Sequence, residues 1–96
     1  LYTQTLDRLE RIAQARSRPS ALARVAALLT ALADTLSPPR RLPCIPAALQ
    51  QRDLAALLAM RHESVCRAIQ DLAREGLVRR DHEGLHLRDR ERLEAV

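Results

Sequence analysis

The stretch "MRHESVCRAIQDLAREGLVRR" (Met60–Arg80) decides the fold. Val65, Ile69 and Leu72, with Ala68 and Ala73 beside them, recur at the intervals that one buried helical face requires. The opposite stripe is Glu63, Arg67, Gln70 and Arg74, preceded by His62, all side-chain types able to hydrogen-bond base edges. Gly76 suits the left-handed conformation that stops a helix, and Leu72 and Leu77 fall where a Schellman motif sets its hydrophobic pair.

Working outward, the preceding segment "LQQRDLAALLAM" offers Leu49, Leu54, Leu57 and Leu58, with Ala55 small enough for a close helix crossing. A short break before His62 makes the pair a helix, turn, helix. Downstream, "LVRR" and "LHLR" flank "DHEG", which predicts a β-hairpin with Leu85 and Leu87 facing in and His86 and Arg88 facing out. The expected fold is therefore mostly α with a small β-hairpin wing, a winged helix-turn-helix. The tail "DRERLEAV" reads as a short helix capped by Asp89.

Upstream, the prolines of "SPPRRLPCIP" exclude a helix and leave at most a short strand near residues 42–45. Before it, Ser20 is an N-cap for "ALARVAALLTALADTL", a helix so apolar that it must be buried on more than one side, with Arg24, Thr30 and Asp34 as its polar marks. The first segment, "LYTQTLDRLERIAQARSR", sets Tyr2, Leu6, Leu9 and Ala13 on one stripe with Ile12 beside it. So narrow a seam suits a partner helix, though the same stripe could pack back on this chain. Beginning on Leu1 without Met, the segment reads as the end of a longer helix.

The 96 residues, 47% of them hydrophobic, suffice for one modest domain. A net charge of +4 favours an anionic partner such as nucleic acid. All 16 basic residues are arginine, a total better explained by GC-rich codon usage than by function, so position carries the argument. Two cysteines, Cys44 and Cys66, make no disulfide framework, and without a secretory or membrane-length apolar run the chain reads as cytoplasmic. His62 and Cys66, like His82 and His86, stand one helical turn apart in number, but this fits no common zinc-finger signature, and no metal is expected. An enzyme is not expected either: the 2 glycines serve a helix stop and a turn, leaving no phosphate loop, and no nucleophile, base and orienter assemble.

The run "LAALLAMRHESVCRAIQDLAREGLVRR" and the wing "GLHLRDRERL" resemble the C-terminal DNA-binding domain of the Crp/Fnr transcription regulators. The resemblance implies that residues 1–18 are the end of a dimerisation helix leading out of a sensor domain, and 19–96 the winged-helix DNA-binding domain. It implies double-stranded DNA as partner, a homodimer joined through Leu6 and Leu9, RNA polymerase as a further contact, and no cofactor in this segment. A recognition helix over 62–75 would lie in the major groove, with Glu63 and Arg67 reading bases, His62 beside them, and Ser64 on a phosphate. The chemistry of the residues agrees: Arg bridges guanine O6 and N7 and a carboxylate accepts from cytosine N4, each good contact being worth about 1 to 3 kcal/mol of discrimination. Gln70, Arg79, Arg80 and His82 are expected on phosphates, with His86 and Arg88 adding to the wing.

Other readings of the same residues stay open. Glu63 and Arg67 could form an ordinary exposed ion pair, worth about 0.3 to 0.5 kcal/mol, and the wing residues could be a solvated hairpin surface. A winged helix could also bind an acidic protein in place of DNA. The chain departs from the family at the turn, where Gly, any residue, then Ser or Thr is usual and Ala59, Met60, Arg61 stand here. Gln50 likewise replaces a capping hydroxyl, and each lost cap should cost about 1 kcal/mol unless something substitutes.

Overall fold

The computed structural model describes residues 2–36 and 44–96, with side chains for 9–34 and 44–96. Among the described residues, five helices and three short strands follow in the order α1 (Tyr2–Arg16), α2 (Ala21–Leu36), β1 (Cys44–Pro46), α3 (Gln51–Leu58), α4 (His62–Arg74), β2 (Val78–Asp81), β3 (Gly84–Leu87) and α5 (Arg90–Ala95). This is a winged helix-turn-helix, and no described helix is long and apolar enough to cross a membrane.

Helix α2 is the axis of the core, packing against α1, α3, α4, α5 and the sheet. The Ser20 hydroxyl starts it, accepting from the Ala23 N–H at 3.0 Å. Val25, Leu28 and Leu29 are fully buried, and Thr30 is buried with its hydroxyl donating to the Ala27 carbonyl at 2.9 Å, so this polar group is not left orphaned in the core. From α4 come Val65, Ala68, Ile69 and Leu72, as the spacing predicts, whereas Ala73 is exposed. The helix turns its seam slightly away from Ala73, and Leu77, beyond the glycine, fills the core instead.

The sheet is antiparallel in the order β1-β3-β2. Besides the expected hairpin, the proline-rich connector contributes β1, which pairs Ile45 with Leu85; residues 42 and 43 of the predicted strand lie outside the described residues. Gly84 makes that pairing sterically feasible. Its φ is +144°, and a Cβ there would stand 2.0 Å from the Ile45 carbonyl oxygen, so no side chain fits.

The face by which α1 joins the domain differs from the predicted stripe. Ala15 is fully buried and Ile12 packs on the core, while Leu9 is 60% exposed and Ala13 is exposed. The side chains of Tyr2 and Leu6 lie outside the described residues. Two polar contacts fix the helix further: Arg16 Nε donates to the Leu57 carbonyl at the end of α3, 2.6 Å away, and Arg11 Nη2 lies 2.9 Å from Asp34 Oδ2. Asp34 also accepts from both terminal nitrogens of Arg90 on α5. Partial burial pushes the Asp34 pKa up, but the hydrogen bonds from Arg90 and then Arg11 outweigh it and hold the carboxyl below its usual value.

Candidate nucleic-acid interface

Helix α3 begins at Gln50, whose N–H donates to the Asp53 carboxylate at 2.8 Å, so the acid at the third helical position supplies part of what the missing hydroxyl would. It ends in a Schellman arrangement: the Met60 N–H donates to the Ala55 carbonyl at 2.9 Å and the Ala59 N–H to that of Ala56 at 3.2 Å. This requires Ala59 to adopt a left-handed backbone, with φ 53° and ψ 43°. The turn geometry is thus kept without its glycine. Arg61, the N-cap of α4, makes no side-chain capping bond, so that lost hydroxyl is not replaced.

The end of α4 is built as its sequence demands. Gly76 has φ +76°, the Leu77 N–H donates to the Leu72 carbonyl at 3.0 Å, and the Gly76 N–H donates to that of Ala73 at 3.0 Å. With the seam of α4 buried against α2 and α3, its other side faces solvent, presenting His62, Glu63, Arg67, Gln70 and Arg74. Ser64 is half-buried at the edge. Among the described residues neither Glu63 nor Arg67 has an ion-pair partner, so the ion pair between them is not formed and both keep their full hydrogen-bonding capacity. The exposed side of α4 is thus backed by a core and flanked by a wing.

Residues 23–96 match the family model of the Crp-like helix-turn-helix domain. The chain belongs to that family. It is a Crp-like DNA-binding domain of the kind found in transcription regulators. No curated protein matches the chain as a relative.

In this Crp-like domain the two wing arginines take opposite sides of the sheet. Arg80 pairs in register with Leu85, which is buried, so its side chain leaves on the helix side; Arg79 pairs with His86 on the outer side. There Arg79 Nη2 lies 3.6 Å from Asp81 Oδ2, and His86 Nε2 lies 2.9 Å from Asp81 Oδ1. His86 was expected to face out, and it does leave on that side, but its side chain is only 18% exposed. The His86 hydrogen bond, against a smaller effect of burial, holds the Asp81 carboxyl below its usual pKa, and the same carboxylate accepts from the Glu83 N–H to shape the turn. His82, at that turn, is exposed beside Glu83, at 3.9 Å. Burial, then Asp81 and Glu83, pushes the Cys44 thiol up.

Beside α4 the structure brings together residues that sequence reasoning treated separately. His62 Nε2 lies 3.4 Å from Cys66 Sγ, and the Gln51 amide lies between Cys66 and the Arg80 guanidinium. Gln51, Arg52, His62 and Arg80 line one cleft between the start of α3 and the wing. Gln51 and Arg52 were missed at the sequence level. The signal for Gln51 lay in the parity of the strand, which sends Arg80 and not Arg79 toward the helices.

Proposed function

We propose that this chain binds DNA sequence-specifically as the C-terminal domain of a dimeric, cytoplasmic Crp/Fnr-like transcription regulator, with α4 in the major groove. His62, Glu63 and Arg67 would meet base edges, while Ser64, Gln70, Arg79, Arg80 and His82 would hold phosphates. The observation that carries this reading is the exposed, unpaired Glu63 and Arg67 on a helix whose opposite face is buried. A rigid helix presenting a donor fork and an acceptor one turn apart has the chemistry to read a G·C-containing step. Residues 1–18 would be the end of a dimerisation helix, with Leu6 and Leu9 in its seam. Leu9, the one exposed large hydrophobic among the described residues, supports a partner helix there. RNA polymerase would be a further contact of the whole regulator.

The test separates base reading from phosphate holding. Arg67→Ala should cost about 1 to 3 kcal/mol on the preferred duplex, found by selection from a random pool, and change non-specific binding little. Arg80→Ala should weaken all duplexes nearly alike and lower the slope of log affinity against log salt by about one. Equal losses on preferred and scrambled duplexes for Arg67→Ala, with base preference intact, would remove Arg67 from the reading. Binding without salt dependence or sequence preference would point to a protein partner.

A further inference from the structure

Among the described residues, Arg11 and Arg90 reach across to a side chain on another element, and both meet the carboxylate of Asp34. Arg80 is held differently. Its guanidinium reaches across from β2 to Gln51, the first residue of α3, and with the amide oxygen turned toward it Nη1 donates at 3.0 Å. That orientation is the chemically sensible one, because a guanidinium has only donors to offer, while the Cys66 sulfur on the far side of the amide can accept weakly from its nitrogen. Cys66 in turn lies against His62 at the start of α4, 3.4 Å from its Nε2. A single amide therefore joins the wing, the first HTH helix and the recognition helix.

We propose that Gln51 is a positioning residue for DNA binding, fixing the Arg80 guanidinium beside the recognition helix before DNA arrives. The inference deepens the DNA-binding reading and rests on it. Arginine is long and rotamer-rich, and immobilising it only on binding would subtract from affinity; an acceptor already in place removes part of that cost. The acceptor must also be neutral. A carboxylate at position 51 would orient Arg80 equally well but would cancel the charge that releases counterions from a phosphate. Arg79 illustrates the contrast, since its guanidinium lies 3.6 Å from the Asp81 carboxylate.

A double-mutant cycle on this chain tests the proposal, with duplex affinity measured over a range of salt for wild type, Gln51→Leu, Arg80→Ala and the double variant, and for Gln51→Glu. Gln51→Leu should weaken all duplexes by roughly threefold to tenfold through the lost pre-ordering, with base preference and salt slope unchanged. In the Arg80→Ala background the same change should have little effect, and Gln51→Glu should lower the salt slope by about one, as Arg80→Ala does. Urea melts of each variant separate these effects from a loss of folding. If Gln51→Leu costs as much with Arg80 absent as with it present, or nothing in either, the proposal is overturned while DNA binding stands. Failure of the folded wild-type chain to bind any duplex would overturn the functional reading and the proposal with it.

Discussion

Ala59 carries the largest backbone compromise in the described chain, being its only non-glycine residue with positive φ, at 53°. A Cβ in the left-handed region costs roughly 1 to 2 kcal/mol, partly offset because alanine has less freedom to lose than glycine when the chain folds. Ala59→Gly should therefore raise the free energy of unfolding by about 0.5 to 1 kcal/mol, measured in urea. A loss of stability would show that the alanine is not strained there. That the family's glycine is missing was readable from the sequence. That the turn keeps its shape regardless was not, because the deciding forces are the hydrogen bonds from Met60 and Ala59 back into α3 and the burial of Leu54 and Leu58 just before it.

Among the elements, α4 was the most legible, since its buried seam and its glycine stop are local and periodic. Ile69, 4% exposed, sits in that seam between α2 and α3, and Ile69→Ala should cost about 2 to 5 kcal/mol by leaving a cavity. A loss under about half a kcal/mol in denaturant melts would mean that the helix is rotated from this position. The wing was legible as a hairpin, but its third strand was less so: a three-residue strand ending in proline has almost no pattern of its own and exists because β3 offers it an edge. Helix α1 was legible as a helix, but the face by which it joins the domain was not, because its small residues hid the contact. Ala15 contributes little to an apolar stripe, yet it is the residue small enough to lie fully buried against α2. For the candidate interface, the exposed stripe on α4 could be named in advance, whereas the meeting of Gln51, Cys66 and Arg80 depends on distant elements that no local pattern relates.

Across the whole molecule, Asp34 ties three helices together, receiving Arg11 from α1 and Arg90 from α5. Because its folded pKa lies below the unfolded one, its stabilising effect is complete above the unfolded value of about 3.9 and is lost as pH falls through the folded pKa. Asp34→Asn should thus be less stable than wild type near neutral pH, and the gap should narrow in urea melts as the pH drops below about 4. A gap that stays constant with pH would assign the effect to packing and not to charge. The pairing of Cys44 with His86, 42 positions along, has a different kind of consequence. It shuts both HTH helices inside a long loop of chain closed by a non-covalent clasp three residue pairs wide, and Gly84 is the gap in the clasp that lets it close. Closing such a loop sacrifices chain entropy before it returns many contacts, so the helices should assemble first and the clasp should latch late. The native domain should accordingly breathe at this latch, the wing edge exchanging its amide protons through a small local opening while α4 stays seated.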